Sequence, residues 1–457
     1  MQQSVFNRGH KVGALAQTLF ANGVDASPSS PRAYAKAIEF TREQIEEGAE
    51  IIYEAAFIYN DVLIYADILV KNGSRWKVYE VKSSTSISET NIIDVSVQYY
   101  VISNNGLDIE DISIIHINNE YIRFGDLDLQ KLFRIESLLP DAVDKQLWVD
   151  EEVERLKGVI SHGSIPQIDI GLHCNDPYSC SFIGHCWRHI PDYSVFDISW
   201  KHLDKKFDLY DSGIVKIEDI PDDYVLPNRE QIQVDCHKSG EEILDKEAIK
   251  EFLSEFTHPL YFLDFESFQP AVPLYNNSKP YQQIVFQYSL HYQKSKRSEL
   301  EHKEFLAETD SDPRISFIEN LIKDTKSKGQ IIVFNKAFEI TRLKEIAGDF
   351  AKYERGVYSI IERVVDLMIP FQKKWYYTPE MHGSYSIKKV LPALVPELSY
   401  SGLNIADGGS ASVAFGQLLE EGDMFKIEET RKSLLEYCKL DTLAMVEILN
   451  KLKDIIK

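Results

Sequence analysis

Leu260-Tyr261-Phe262-Leu263-Asp264-Phe265-Glu266 is the stretch on which the reading of this chain turns. Leu260–Phe265 is a short apolar, aromatic run of the kind that forms a buried strand. Successive side chains of a strand leave opposite faces, so Asp264 and Glu266 project from the same one. Two hard carboxylates side by side at a strand end suit Mg²⁺ or Mn²⁺, which prefer oxygen ligands. Alone, Asp-x-Glu is also what an exposed strand of an acidic chain presents, so its meaning depends on what surrounds it.

Outward from that strand, the pattern predicts a second strand at Gln283–Tyr292, a helix at Ile315–Ser327, a strand at Gln330–Phe334 and a helix at Phe338–Asp349. A last helix runs from about Arg431 to Leu452. Asn335-Lys336-Ala337-Phe338-Glu339 lies where the apolar strand enters the helix, which sets a third carboxylate at a strand–helix junction. Tyr437 and Asp441 are four apart in the last helix and share one face. A tyrosine hydroxyl beside a carboxylate can orient a metal-bound water for in-line attack on phosphate. The ordered set Asp-x-Glu, Asn-x-x-Phe-Glu and Tyr-x-x-x-Asp resembles the three motifs of DEDD 3′–5′ exonucleases, in the subgroup with tyrosine in the third. The resemblance covers 258–457. It implies an RNase H-like fold in which Asp264, Glu266 and Asp441 hold metal ions, Glu339 binds through water and Tyr437 positions the nucleophile. That family has Asp in the second motif, and Glu339 extends the reach by one methylene. The alternative is a nuclease-like fold with decayed chemistry.

The first half has a different signature. A helix at Ala33–Glu50 behind Pro31 is followed by three Val-, Ile- and Tyr-rich strands, Tyr53–Tyr59, Val62–Val70 and Arg75–Val81. Asn72-Gly73 marks a hairpin between the last two. A helix at Ile92–Ile102, a strand at Ile112–Ile117 and a helix at Val143–Ile160 complete an α/β pattern. Asp67 ends one arm of the hairpin, while Glu80 and Lys82, two apart on the other, face the same way. An Asp and a Glu can bind a divalent metal while the lysine polarises phosphate or positions water. This arrangement resembles the PD-(D/E)XK (restriction-endonuclease-like) nucleases. Gln98-Tyr99-Tyr100 on the following helix is similar to the glutamine–tyrosine motif of their RecB-like members. The resemblance implies metal binding by Asp67 and Glu80 and catalytic roles for Lys82 and Gln98. It also suggests His10 as an added metal ligand, against a plain surface or core role; Glu54 is either an accessory acid or a strand residue.

Three of the five cysteines, Cys174, Cys180 and Cys186, form C-x5-C-x5-C. Thiolates so close suggest Zn²⁺ or an iron–sulfur cluster, against the plain alternative of three reduced cysteines. RecB-like nucleases of the CRISPR-associated type close their domain with a cysteine cluster holding [4Fe–4S]. Their fourth cysteine precedes the nuclease fold, and no cysteine precedes Cys174 here. Either the chain is shortened ahead of Met1, or His173, His185, His189 or Cys236 completes a different site.

The 457 residues suit two or three domains. The reading assigns 1–190 to a RecB-like PD-(D/E)XK domain ending in the cysteine cluster, 191–257 to connecting structure and 258–457 to an RNase H-like exonuclease domain. Met1–Lys11 has no export pattern, and the longest apolar stretch, Val62–Val70, is interrupted by Asp67 and too short to span a membrane. The expectation is a cytoplasmic protein without membrane partners. A net charge of −22 speaks against a broad basic nucleic-acid surface and leaves room for a local phosphate track. Lys71, Arg75, Lys77, Lys82, Lys373, Lys374, Lys388 and Lys389 are its candidates. With Gly383-Ser384-Tyr385-Ser386-Ile387-Lys388 and Tyr437-Cys438-Lys439-Leu440-Asp441-Thr442, the order of the halves resembles a bacterial family catalogued only as a domain of unknown function. The expected activity is metal-dependent phosphodiester hydrolysis at two active sites, on DNA ends or single strands. It would serve repair, recombination or defence. An RNA exonuclease and a non-enzymatic nucleic-acid-binding or scaffold protein are the alternatives.

Overall fold

Residues 51–82 fold as the hydrophobic pattern requires, into long antiparallel strands with Ile52, Ala55, Ile68, Leu69 and Val78 buried. The chain is a mixed α/β protein, and the computed structural model describes residues 2–326 and 328–457, with side chains from Ser4 onward. Met1 and Ser327, the latter at the end of a predicted helix, lie outside the described residues. The chain divides into two compact units, one of Met1–Ile168 with Gln269–Gln282, the other of Asp169–Phe268 with Gln283–Lys457. Among the described residues, no helix is long and apolar enough to cross a membrane.

The first unit has a six-stranded sheet in chain order: β1 (Val24–Asp25), β2 (Ile51–Tyr59), β3 (Val62–Asn72), β4 (Arg75–Lys82), β5 (Ile109–Ile117) and β6 (Phe133–Ser137). Asn72 pairs with Arg75, so the loop between β3 and β4 is Gly73-Ser74. Gly73 has φ +62, whereas Ser74 keeps a negative φ. The turn is therefore of the II′ kind, with glycine at its first central position. The helix Glu89–Asn104 covers one sheet face and begins at a capping box: Ser88 Oγ accepts from Asn91 N, and Asn91 Oδ1 accepts from Ser88 N. Gln269–Gln282 belongs to this unit through Ala271, which packs with Val12, Ala16 and Ile68.

In the second unit, β7 (Ile243–Leu244) pairs with a strand from much later in the chain. The main sheet is centred on β8 (Leu260–Phe268), flanked on one side by antiparallel β9 (Ile284–Gln293) and then β10 (Leu300–Leu306). On the other side lie β11 (Gln330–Val333) and β12 (Val364–Asp366), both parallel. β13 (Tyr376–Tyr377) is the partner of β7. Strand alternation sorts β8. Tyr261, Leu263 and Phe265 pack with Phe317 and Leu343, whereas Leu260 and Phe262 pack with Met445 and Leu449 of the helix Met424–Ile455. Asp264 and Glu266 continue the second series, toward the last helix. That helix is held in register by Gln287 Nε2 donating to Leu434 O at 2.7 Å and by Ser289 and His291 bonding the Thr442 hydroxyl at 2.7 and 2.8 Å.

The boundary near residue 190 moves back to 168/169. The cysteine segment belongs to the second unit because Ile170 and Cys174 pack with Phe207. Residues 191–257 are structured too, with helices Leu203–Asp211, Asn228–Ser239 and Lys246–Ser254 and a core around Ile198, Leu209 and Val234.

One internal ion cluster gives a stability prediction. The Arg314 side chain is 2% exposed; its guanidinium grips both oxygens of Asp312 and donates to Asp349 Oδ2 at 2.8 Å. Removing one partner of a buried cluster leaves the others uncompensated. Arg314→Met is expected to destabilise the second unit by about 3 kcal/mol or more, read as a lower urea midpoint at unchanged slope.

Candidate metal centres

β8 and the last helix build the centre of the second unit. Ligand oxygens of Asp264, Glu266 and Asp441 lie within 4.8 Å of one another. Glu266 is 8% and Asp441 5% exposed. Burial, with Asp441 close by, pushes the Asp264 carboxyl well above its ordinary range; the Cys438 thiol, donating to Asp264 Oδ2 at 3.6 Å, and Lys388 oppose this. Burial, then Asp264 and Asp441, does the same to Glu266. Asp441 rises to about 6 through burial, held back by the hydroxyls of Tyr400 and Tyr437 and by the Lys388 ammonium. Crowded, dehydrated carboxylates of this kind favour either a proton or a cation. Oxygen-only donors of this geometry fit a hard divalent ion.

Glu339 is near but is not one of the three. It sits in the first turn of the helix Lys336–Asp349, 2% exposed, and its Oε2 is buried with no hydrogen-bond partner. Burial first and Asp264 second raise its carboxyl well above the usual range. The helix start is fixed by Asp366, whose carboxylate accepts from the backbone N–H groups of Asn335, Lys336 and Met368 at 3.0–3.1 Å. Asn335 has φ +87, a left-handed conformation costly for a non-glycine residue. Of the four carboxylates expected to meet, three do. The fourth stays beside them, within electrostatic reach of Asp264, with one of its oxygens buried and unbonded.

Tyr437 is 4% exposed and lies among the same carboxylates, all three of which act on its hydroxyl. Two further side chains, Tyr400 and Lys388, adjoin this group. Tyr400 donates to Asp441 Oδ1 at 2.6 Å. Lys388 Nζ lies over the rings of both Tyr400 and Tyr437, 5.6 and 5.4 Å from their centroids. Gly408 opens the helix Gly408–Leu418 against Glu266; a Cβ there would come within 3.3 Å of Oε2.

The first unit gathers Asp67, Glu80, Lys82 and Gln98. The β3–β4 ladder stops at Ile68–Tyr79, and beyond it the Asp67 carboxylate takes the Val81 N–H at 2.6 Å. Glu80, 7% exposed, accepts from Lys82 Nζ at 2.6 Å on one oxygen and from Gln98 Nε2 at 2.7 Å on the other. Gln98 Oε1 is left buried without a partner. Lys82 also donates to Asp94 at 2.6 Å, a residue the motif did not single out. Burial lifts Asp67 to about 6 and, with Asp67 beside it, Glu80 to about 8. Burial opposes the charge on Lys82, but Glu80 and Asp94 outweigh it and keep its pKa above the ordinary lysine value. Glu54 interrupts the β2–β3 ladder opposite Asp67 with φ +53, and burial, then Glu80, raises it to about 6. Its left-handed backbone is the signal that marks it, and no residue pattern announces that.

Several expected ligands stay apart. His10 is on an exposed position of the helix Gln2–Gln17 and joins no three-ligand group with Asp67 and Glu80 among the described residues. Cys174, Cys180 and Cys186 are free and are buried, exposed and half-buried in turn. Their sulfurs are not gathered within 4.8 Å of one another, as one shared Zn²⁺ would require. Cys236 is in a different core, its Sγ donating to Glu241 O at 3.0 Å. His189 is engaged with Cys186 O and the Tyr210 hydroxyl. The expected phosphate track is also broken up. Arg75 pairs with Asp108 and Lys77 with Glu110, while Lys374 is buried over the Tyr377 ring.

The profile of a family described as "Domain of unknown function (DUF2779)" matches residues 261–386. That span takes in Asp264, Glu266 and Glu339 and ends before Lys388, Tyr400, Tyr437 and Asp441. The chain is similar to "Uncharacterized protein MG366" of Mycoplasma genitalium, 29% identical over 217 residues, or 43% of this chain and 32% of that protein. It is similar to the "Uncharacterized protein MG366 homolog" of Mycoplasma pneumoniae, 30% identical over 214 residues with the same coverage. "Uncharacterized protein UU173" of Ureaplasma parvum is 29% identical over 242 residues, 48% of this chain and 35% of that one. The chain thus spans about a third of the length of these relatives. No solved structure matches.

Proposed function

We propose that this chain is a metal-dependent nuclease with two hydrolytic centres, a DEDD-like exonuclease centre in the second unit and a PD-(D/E)XK-like centre in the first. The observation that carries the reading is the convergence of Asp264, Glu266 and Asp441, with Tyr437 among them, from positions far apart in the chain. Asp264, Glu266 and Asp441 would hold Mg²⁺ or Mn²⁺ in the second unit, and Asp67 and Glu80 in the first. Such an ion supplies an activated water and stabilises the oxygen that leaves phosphorus. Tyr437 would orient the attacking water toward phosphorus, and Glu339 would bind the ion through a water. In the first unit, Lys82 faces the phosphate while Gln98 fixes the Glu80 carboxylate. DNA ends or single strands are the favoured substrate, with RNA compared directly.

A second reading, a nucleic-acid-binding or scaffold protein with decayed centres, is favoured by one observation: Glu339 stands outside the three-oxygen group. End-labelled DNA and RNA of one sequence, incubated with Mg²⁺ or Mn²⁺, separate the two. Shortening of either polymer supports the nuclease; metal-independent binding without shortening of both supports the scaffold.

A further inference from the structure

Lys388 stands at a helix start, and its charge acts on all three carboxylates. It lies in the first turn of the helix Ile387–Leu394, half-buried, and its ammonium donates to Ala406 O at 2.6 Å. That bond ties the segment leading into Asp407 and Gly408, which abuts Glu266, to the helix that carries Lys388. The same ammonium lies over the faces of Tyr400 and Tyr437, and Tyr400 in turn is bonded to Asp441 Oδ1. Its positive charge acts on Asp264, Glu266, Asp441 and Asp407 together.

We propose that Lys388 is a positioning residue of this centre: it clamps the Tyr400–Tyr437 pair by its charge and serves as a resident cation against which a divalent ion must compete. The inference rests on the nuclease reading of the same carboxylates and adds to it a residue that keeps the crowded acids together before metal arrives. The two roles pull in opposite directions on measurable quantities. A fixed ammonium near the ligands repels an incoming divalent cation, so deleting the charge strengthens metal binding. Deleting it also frees the two rings, because the cation–π attraction that orients them is lost, and turnover falls. A lysine with a purely structural role has no reason to do the first of these.

The test is a Mn²⁺ titration of the full chain, by calorimetry or by the signal of free Mn²⁺, on wild type, Lys388→Met, Lys388→Gln and Lys388→Arg, in an Asp67→Asn, Glu80→Gln background so that only the second unit's centre is counted. Both neutral variants are expected to bind Mn²⁺ about tenfold more tightly, with hydrolysis reduced about tenfold or more. Lys388→Arg keeps its affinity within about twofold, since it keeps the charge. Gln can still donate to Ala406 O, which guards against a fold that tolerates Met poorly. Mn²⁺ affinity unchanged or weakened in a folded neutral variant overturns the inference and leaves the metal reading standing. Failure of the Asp67→Asn, Glu80→Gln parent itself to bind Mn²⁺ overturns both.

Discussion

Asp264→Asn is expected to reduce hydrolysis by the second unit roughly a thousandfold or more, the scale for loss of an essential catalytic group. The same substitution is expected to make the metal-free protein more stable. The half-buried Asp264 has its carboxyl dehydrated beside Asp441 and held well above the ordinary range. A carboxyl with a raised folded pKa costs stability as pH climbs from its unfolded value through its folded one. Above the folded pKa the full cost is present, and a neutral, similarly shaped side chain removes it. Divalent ions relieve the same repulsion in the wild type. Mn²⁺ at about a hundred times its dissociation constant adds about 2.7 kcal/mol to the folded state. Thermal melts with and without Mn²⁺ check the pair of effects: a large upward shift in the wild type, and in Asp264→Asn a higher metal-free midpoint with little further shift. A variant that melts lower than the wild type without metal, and still shifts with it, contradicts the assignment of Asp264.

The second large effect separates the units. Lys82→Ala removes the ammonium that bonds Glu80 and Asp94 at 2.6 Å each, and with it the cation nearest the Asp67 and Glu80 carboxylates. Cleavage by the first unit is expected to drop by roughly a hundredfold to a thousandfold, while the second unit keeps its own rate. The residual activity of Asp264→Asn then belongs to the first unit, and the double variant has neither. Product ladders from end-labelled substrates measure this directly, since two centres with different geometry leave different product lengths. Loss of all cleavage in either single variant would falsify the two-centre account.

Much of both sites was legible because strand and helix periodicity decides which side chains share a face. Asp264 and Glu266 on β8, and Tyr437 with Asp441 four residues apart, needed only those periods. Asp67, Glu80 and Lys82 followed from a hairpin whose turn glycine is plain in the sequence. Tyr400 and Asp94 were not legible, because each reaches its centre from a loop or helix whose docking depends on tertiary packing. Lys388 was read as one of eight candidate phosphate contacts; its placement over two tyrosines has no local signature. Even spacing of Cys174, Cys180 and Cys186 suggested convergence, yet the three thiols are buried, exposed and half-buried in turn and form no tight sulfur group among the described residues. The unit boundary was missed for a similar reason. Apolar contacts of Ile170 and Cys174 with Phe207, and of Ala271 with Val12 and Ile68, assign segments to cores far away in sequence.

The most direct measurement is cleavage of 5′-labelled single-stranded DNA and of the matched RNA by the full chain in Mn²⁺, compared with chelator and with the Asp264→Asn, Lys82→Ala double variant. The account predicts metal-dependent shortening of at least one polymer by the wild type, most strongly of the DNA, and none by the double variant. Intact substrate with the wild type in Mn²⁺, or cleavage undiminished in the double variant, contradicts it.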